Sequence, residues 1–175
     1  PLPESADTPA KLPFMDVFAF LPLRSYGFAF VLQADWEVPS SRESIDASSA
    51  WNQWLRDETP KLFLDAAEQL LARAVAAGET SERVQLVNLL FQLVPLHASE
   101  FFLPLAEECC QSLRSCECVP TQEGGMCCPR EAVLPSVAAT DASTTVADEH
   151  VARTTERLIQ SVGLKYAVSG LHMPE

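Results

Sequence analysis

The chain has 175 residues, enough for one domain or for one domain with an appendage. Hydrophobic residues make up 47% of it, which allows a packed core and excludes wholesale disorder. The net charge of −12, with only 12 Lys and Arg residues, argues against nucleic acid or an anionic membrane as a partner, because both are bound by clustered basic side chains.

The sequence does not begin with methionine. The first residue is Pro1, and no charged-then-apolar leader follows it, so we expect a fragment, a processed chain or an incomplete gene model. Residues 1–13 contain four prolines and no periodic pattern, which predicts a linker or a disordered end. Since no apolar run in the sequence approaches the roughly 18 residues that span a bilayer, we expect a soluble protein.

Two apolar runs predict adjacent strands of a small sheet. The first covers Phe14–Leu21, and Pro22 is expected to end it because proline cannot donate to a sheet ladder. Tyr26-Gly27 is then expected to form a turn. The second strand is predicted over Phe28–Gln33, where side chains alternate between large and small or polar.

A turn and three or four helices are predicted next. Pro39, followed by two serines, favours a turn within residues 35–46. Ser48 or Ser49 is expected to cap a helix, and Thr59-Pro60 to start another that stops at Gly78. Two further helices are predicted from residue 80 or 81 to Pro95, and over about 101–113 with a delay or kink at Pro104. Trp51 and Trp54, which share one helix face, are interpreted as core residues.

The C-terminal part changes character. Short apolar runs flank Gly124-Gly125, which predicts a hairpin. Residues 135–146 have the composition of a flexible connector, and residues 147–175 are predicted to form a last helix and a tail. The fold class is therefore α+β: a small N-terminal sheet packed with three to four helices, a short hairpin and a C-terminal helix. One α+β domain is expected over residues 14–134.

All six cysteines lie within 20 residues of sequence, at Cys109, Cys110, Cys116, Cys118, Cys127 and Cys128. A disulfide scaffold would spread its cysteines along the chain, and a zinc site normally shows Cys-x-x-Cys spacing, which this segment lacks. We interpret them as reduced thiols of a cytoplasmic or nuclear protein, and metal binding stays an alternative.

Catalysis by this chain alone is not expected. The three histidines are far apart, and no local signature links any of them to a nucleophile: His97, His150 and His172. Two acidic pairs fall on predicted helices, where solvated faces explain them: Asp57-Glu58 and Glu107-Glu108.

Three segments carry a family resemblance: FAFLPL at 18–23, VLQADWEVPSSRESID at 31–46 and WNQWL at 51–55. They resemble sacsin and NO VEIN-like proteins, large proteins with an ATP-binding domain of the histidine-kinase-like (GHKL) superfamily, related to the ninety-kilodalton heat-shock chaperones. CVPTQEGG at 118–125, CPREAVL at 128–134 and GLKY at 163–166 are also similar, although the resemblance is strongest over residues 16–64.

The resemblance implies a role for Arg42. In the heat-shock chaperones, a loop after the nucleotide domain carries an arginine that reaches the γ-phosphate of ATP, and VPSSRE places Arg42 on the matching loop. A guanidinium suits this role because it offers planar, bidentate donors and a permanent charge. The alternative reading is a local ion pair of Arg42 with Glu43 or Asp46.

The sequence departs from the family pattern at two points. The nucleotide pocket of the superfamily needs glycine-rich loops, but this chain has only six glycines and no Gly-x-Gly or P-loop, so the ATP-binding domain is absent from it. Ala34 stands where the resembling proteins usually carry glycine, so the turn there is expected to differ slightly.

These observations predict a non-catalytic segment that couples an upstream ATP-binding domain to the rest of a chaperone-like protein. ATP and magnesium are implied only for the parent protein, whose other partner would be a protein client. Two alternatives are a stand-alone interaction module that uses apolar helices and a cysteine-based zinc domain.

Overall fold

The structure is a computed structural model that describes residues 11–133, 165–168 and 171. The described residues divide after Ser112 into two compact units, which are taken separately below. The predicted connector at 135–146 and most of the predicted C-terminal helix and tail lie outside the described residues, as do the first ten residues. The domain boundaries therefore stay predictions.

The first unit begins with a three-stranded sheet formed by β1 (Met15–Ala19), β2 (Leu21–Phe28) and β3 (Leu32–Gln33). Strand β1 is central: it pairs with β2 antiparallel and with β3 parallel. Three sequence predictions are wrong here. The second strand predicted over 28–33 is not formed, because Phe28 ends β2 and only Leu32–Gln33 form β3. Pro22 lies inside β2, where it is tolerated because β2 is an edge strand. The chain reverses at Phe20, which adopts a φ of 62°, rather than at Tyr26-Gly27.

Gly27 serves close packing within β2. Its φ is +90°, and a Cβ placed on it would lie 2.0 Å from the carbonyl oxygen of His97. Only a glycine allows the segment around His97 to approach the strand this closely. The flanking aromatic residues Tyr26 and Phe28 are both buried.

Helix α1 (Ala50–Ala76) is a single 27-residue element. The predicted cap is confirmed, because the Ser49 side chain accepts a hydrogen bond from the backbone of Asn52. The predicted restart at Thr59-Pro60 is wrong: Pro60 is fully buried inside the helix. Thr59 donates its hydroxyl to the Leu55 carbonyl at 2.8 Å, and packing holds the helix through the proline.

Helix α2 (Thr80–Leu93) packs against α1, and a 3₁₀ turn (Glu100–Phe102) leads into α3 (Leu103–Arg114). Phe102 is fully buried at the centre of an aromatic cluster. Its ring centroid lies 5.0–5.5 Å from four neighbouring aromatic rings, those of Tyr26, Phe28, Trp36 and Phe101. This cluster joins the sheet, the segment after β3 and the 3₁₀ turn into one core.

The second unit contains the predicted hairpin, formed by β4 (Val119–Pro120) and β5 (Met126–Cys127) around Gly124 with φ +89°. The second unit also contains a short parallel pair of strands, β6 (Ala132–Val133) with β7 (Lys165–Tyr166). The predicted α+β class is confirmed by the sheet, the three helices and this hairpin. In the described part of the chain, no helix is long and apolar enough to cross a membrane.

Candidate functional site

The candidate site is the segment after β3, residues 37–46, which we call the Arg42 loop. Its two ends meet, because the Asp46 amide donates to the Glu37 carbonyl at 3.0 Å. A tight turn forms its tip, where the Arg42 amide donates to the Pro39 carbonyl at 2.9 Å. Arg42 itself has a φ of +56°, a left-handed conformation that costs energy for a residue with a side chain. Such backbone strain is concentrated at functional sites in proteins.

The side chain of Arg42 is exposed at the tip. Within residues 11–133, 165–168 and 171, its guanidinium forms neither an ion pair nor a hydrogen bond. Glu43 does not engage it, and the Asp46 carboxylate accepts instead from the Ser48 hydroxyl at 2.6 Å and the Ser48 amide at 2.9 Å. The hydrogen bond from the Ser48 hydroxyl is the main reason that the pKa of Asp46 is lowered. The local ion pair considered for Arg42 is thus not formed among these residues.

The loop ends are held by Asn52, a fully buried residue in the first turn of α1. Its Nδ2 donates to the Glu37 carbonyl at 2.8 Å and to the Asp46 carbonyl at 2.9 Å, and its Oδ1 accepts from the Glu37 amide at 2.8 Å. One side chain therefore binds both ends of the loop through three hydrogen bonds.

Two further contacts support this arrangement. The Ser49 hydroxyl donates to the Glu37 carboxylate and also caps α1, so that it links the start of the loop to the start of the helix. On the other limb, the Ile45 amide donates to the Tyr26 hydroxyl at 3.0 Å, which anchors the loop to strand β2. The sequence did not indicate either Asn52 or Tyr26 as part of this site, because their bonds to the loop join segments that are 6 to 19 residues apart in the chain.

A groove of about 430 Å³ lies beside the loop. Arg24 lines the groove; its guanidinium pairs with the Glu100 carboxylate at 2.5 Å and lies 4.6 Å from the Tyr26 ring centroid. Glu43 and Ser44 of the Arg42 loop also line it. Arg24 is thus already neutralised, whereas Arg42 in the neighbouring turn has no such partner among the described residues.

Trp51 and Trp54 are not core residues, contrary to the sequence prediction. They are 45% and 52% exposed, and their ring centroids lie 5.1 Å apart. The Trp51 indole donates to the Asp35 carbonyl at 2.9 Å, just ahead of the Arg42 loop. The helix turns its other side inward, where Phe63, Ala67, Leu71 and Ala74 are buried. The tryptophans therefore form an exposed aromatic pair.

The six cysteines form no disulfide, and four of them are buried: Cys109, Cys118, Cys127 and Cys128. Burial raises the pKa of Cys109 and of Cys118 to about 12. Protonated thiols are poor metal ligands. Over the ranges that the structure describes, no group of three or more His, Cys, Asp or Glu side chains could hold a metal ion.

The remaining chemical candidates have ordinary surroundings. His97 packs edge to face against Phe14, with ring centroids 5.3 Å apart, whereas His150 and His172 lie outside the described residues. Asp57 and Glu58 form exposed ion pairs with Arg56 and Lys61, which confirms the prediction of a solvated helix face. Glu107 and Glu108 are likewise exposed on α3.

Comparison with known proteins supports one part of the resemblance. The chain is 40% identical over 111 residues, 62% of its length, to Protein NO VEIN from Arabidopsis thaliana. The match covers only 4% of that much longer protein. No family model and no solved structure matches the chain. The chain is therefore related to one segment of NO VEIN.

Proposed function

We propose that this chain is a non-catalytic segment of a NO VEIN- and sacsin-like protein and that it presents Arg42 to an ATP-binding domain of the histidine-kinase-like superfamily. In that arrangement ATP and magnesium are bound by the ATP-binding domain, and Arg42 contacts the γ-phosphate. The segment couples the nucleotide state of that domain to the rest of a chaperone-like protein.

One observation carries the proposal: an arginine without an ion-pair partner among the described residues stands at the tip of a loop whose ends are fixed. A free, permanently charged guanidinium gives bidentate hydrogen bonds to phosphate oxygens. Fixing the loop in advance reduces the entropy lost when the contact forms. The 40% identity to a segment of NO VEIN supports the assignment to this kind of protein.

The discrimination between ATP and ADP tests the γ-phosphate contact. In the full-length protein that contains this chain, Arg42→Ala should weaken ATP binding about tenfold, the loss expected when one charge-assisted contact disappears. ADP affinity should stay unchanged because ADP has no γ-phosphate. The matched control is Arg73→Ala, which removes an exposed arginine that lies on α1, outside the Arg42 loop. Equal losses for ATP and ADP, or no loss for either, contradict the proposal.

The exposed aromatic pair favours a second candidate, a stand-alone module that binds a protein client. Trp51 and Trp54 offer a large apolar surface, and Leu62, further along α1, is 68% exposed. Apolar side chains exposed together are typical of interaction surfaces. Trp54→Ser, which keeps the Trp51 hydrogen bond to Asp35, should weaken client binding, whereas Arg42→Ala should leave such binding intact.

A further inference from the structure

We propose that Asn52 is a positioning residue: it sets the place of Arg42 by binding both ends of the Arg42 loop to the first turn of α1. This inference rests on the proposed function, because it concerns how the phosphate contact is made. It adds a mechanical link, in which a displacement of α1 moves the arginine loop.

The contacts of Asn52 are those of a connector. Its side-chain oxygen accepts from the Glu37 backbone N–H, and its side-chain NH₂ group donates to the backbone carbonyls of Glu37 and Asp46, all at 2.8–2.9 Å. Its own backbone N–H is bound by the Ser49 cap at 3.2 Å. The side chain is fully buried, so that water cannot replace these bonds without opening the loop.

The chemistry requires an amide at this position. An asparagine offers two donors and an acceptor, which match two carbonyls and one N–H of the loop ends. Aspartate has nearly the same shape but no donor, and would place a carboxylate against two carbonyl oxygens. Alanine would leave the loop ends without this connection. The loop would then be held by the Tyr26–Ile45 hydrogen bond, by the Asp46–Glu37 backbone bond and by the bonds that Ser49 makes to Glu37 and Asp46.

The link has a clear direction. Asn52 lies three residues after the cap of a 27-residue helix, and α1 packs against α2. Asn52 lies eight residues before Pro60, so the helical turn that carries it keeps its own backbone hydrogen bonds and can move as one unit. A shift at the start of α1 is therefore passed to both ends of the loop together, and the tip follows with its arginine.

A double-mutant cycle on ATP turnover by the full-length protein tests the inference. Asn52→Ala should lower kcat by about ten- to a hundredfold, as displaced positioning groups do, but should have no further effect when Arg42 is already alanine. Tyr26→Phe, which removes only the hydroxyl contact to the loop, should show the same pattern with a smaller loss. Additive losses in the double variant would overturn the inference.

A control variant separates positioning from general destabilisation. Leu90→Ala removes a buried side chain from α2 and should lower the melting temperature at least as much as Asn52→Ala while leaving kcat within about twofold of the unmodified protein. An equal loss of kcat in Leu90→Ala would overturn the inference.

Hydrogen exchange distinguishes failure of this inference from failure of the proposed function. Asn52→Ala should speed exchange at the Arg42 and Asp46 amides, which are bonded within the loop, whereas Arg42→Ala should not. If Arg42→Ala leaves turnover unchanged, the proposed function fails even when the exchange result stands. If exchange at these amides is unchanged in Asn52→Ala, the positioning role itself is wrong.

Discussion

At the scale of single residues, Arg42 combines an exposed cation with a strained backbone. Its position on a serine-containing turn could be predicted from Pro39 and the serines that follow. Its φ of +56° could not, because nothing in the local sequence requires a left-handed residue there. Asn52 was also unpredictable, since its three side-chain bonds join segments that meet only in the folded chain.

The strain at Arg42 can be measured by substitution. Arg42→Gly should raise the free energy of unfolding by about 0.5–1 kcal/mol, because glycine removes the left-handed penalty of about 1–2 kcal/mol but gains more freedom in the unfolded chain. Arg42→Ala should change stability by less than about 0.5 kcal/mol, since it keeps a Cβ and breaks no contact found among the described residues. Chemical denaturation of the two variants compares them directly. A less stable Arg42→Gly variant would contradict the strained conformation.

The buried thiols predict a dependence of stability on alkaline pH. Cys109 and Cys118 have pKa values of about 12 in the folded chain, against an ordinary value near 9. Between these values the unfolded chain loses thiol protons that the folded chain retains. Their contribution to stability is thus fully present below about pH 9 and is lost as the pH rises towards 12.

Denaturation of the Cys109→Ala, Cys118→Ala variant alongside the unmodified chain isolates this contribution, since the other alkaline groups are common to both. The variant should lose less stability between pH 9 and pH 11. Alkylation at pH 8 should leave both thiols unmodified until the chain unfolds. Identical pH profiles, or stoichiometric zinc in the purified chain, would contradict this account of the cysteines.

At the scale of elements, the start of α1 and the hairpin could be predicted from the local sequence, but the bounds of the strands could not. The cap at Ser49 and the turn at Gly124-Gly125 are formed by neighbouring residues, so their chemistry is visible in the sequence. Pro22 and Pro60 were misread as boundaries because proline is a breaker only where its N–H would be needed or where packing cannot compensate. Pro22 lies in an edge strand, where its missing N–H is not needed, and Pro60 is buried in α1, where packing compensates for the lost hydrogen bond.

Gly27 provides the sharpest test of the sheet. Gly27→Ala should lower the free energy of unfolding by at least about 3 kcal/mol, because the added Cβ meets the His97 carbonyl and the φ of +90° disfavours any side chain. Gly78→Ala is the matched control: its Cβ would meet nothing within 4 Å, and stability should be unchanged or rise by up to about 1 kcal/mol. Thermal unfolding of both variants gives the comparison. Similar melting temperatures would contradict the observed approach of His97 to β2.

At the scale of the whole molecule, the chain is strongly acidic, and it matches only 4% of the relative it resembles. A cation held at a loop tip of such a chain suits a small anionic group better than an extended polyanion, which would be repelled by the net charge of −12. The composition argues against nucleic acid as a partner, but it could not indicate a nucleotide phosphate. That expectation came from the resemblance of the VPSSRE segment.

The most direct test of this account is ATP turnover by the full-length protein with single substitutions at two exposed arginines. Arg42→Ala should lower kcat by at least about a hundredfold, and Arg42→Lys should restore only part of it, because lysine keeps the charge but not the bidentate geometry. Arg73→Ala should leave turnover unchanged. Equal turnover in the Arg42→Ala and Arg73→Ala variants would contradict the central claim that the Arg42 loop delivers a phosphate-contacting arginine.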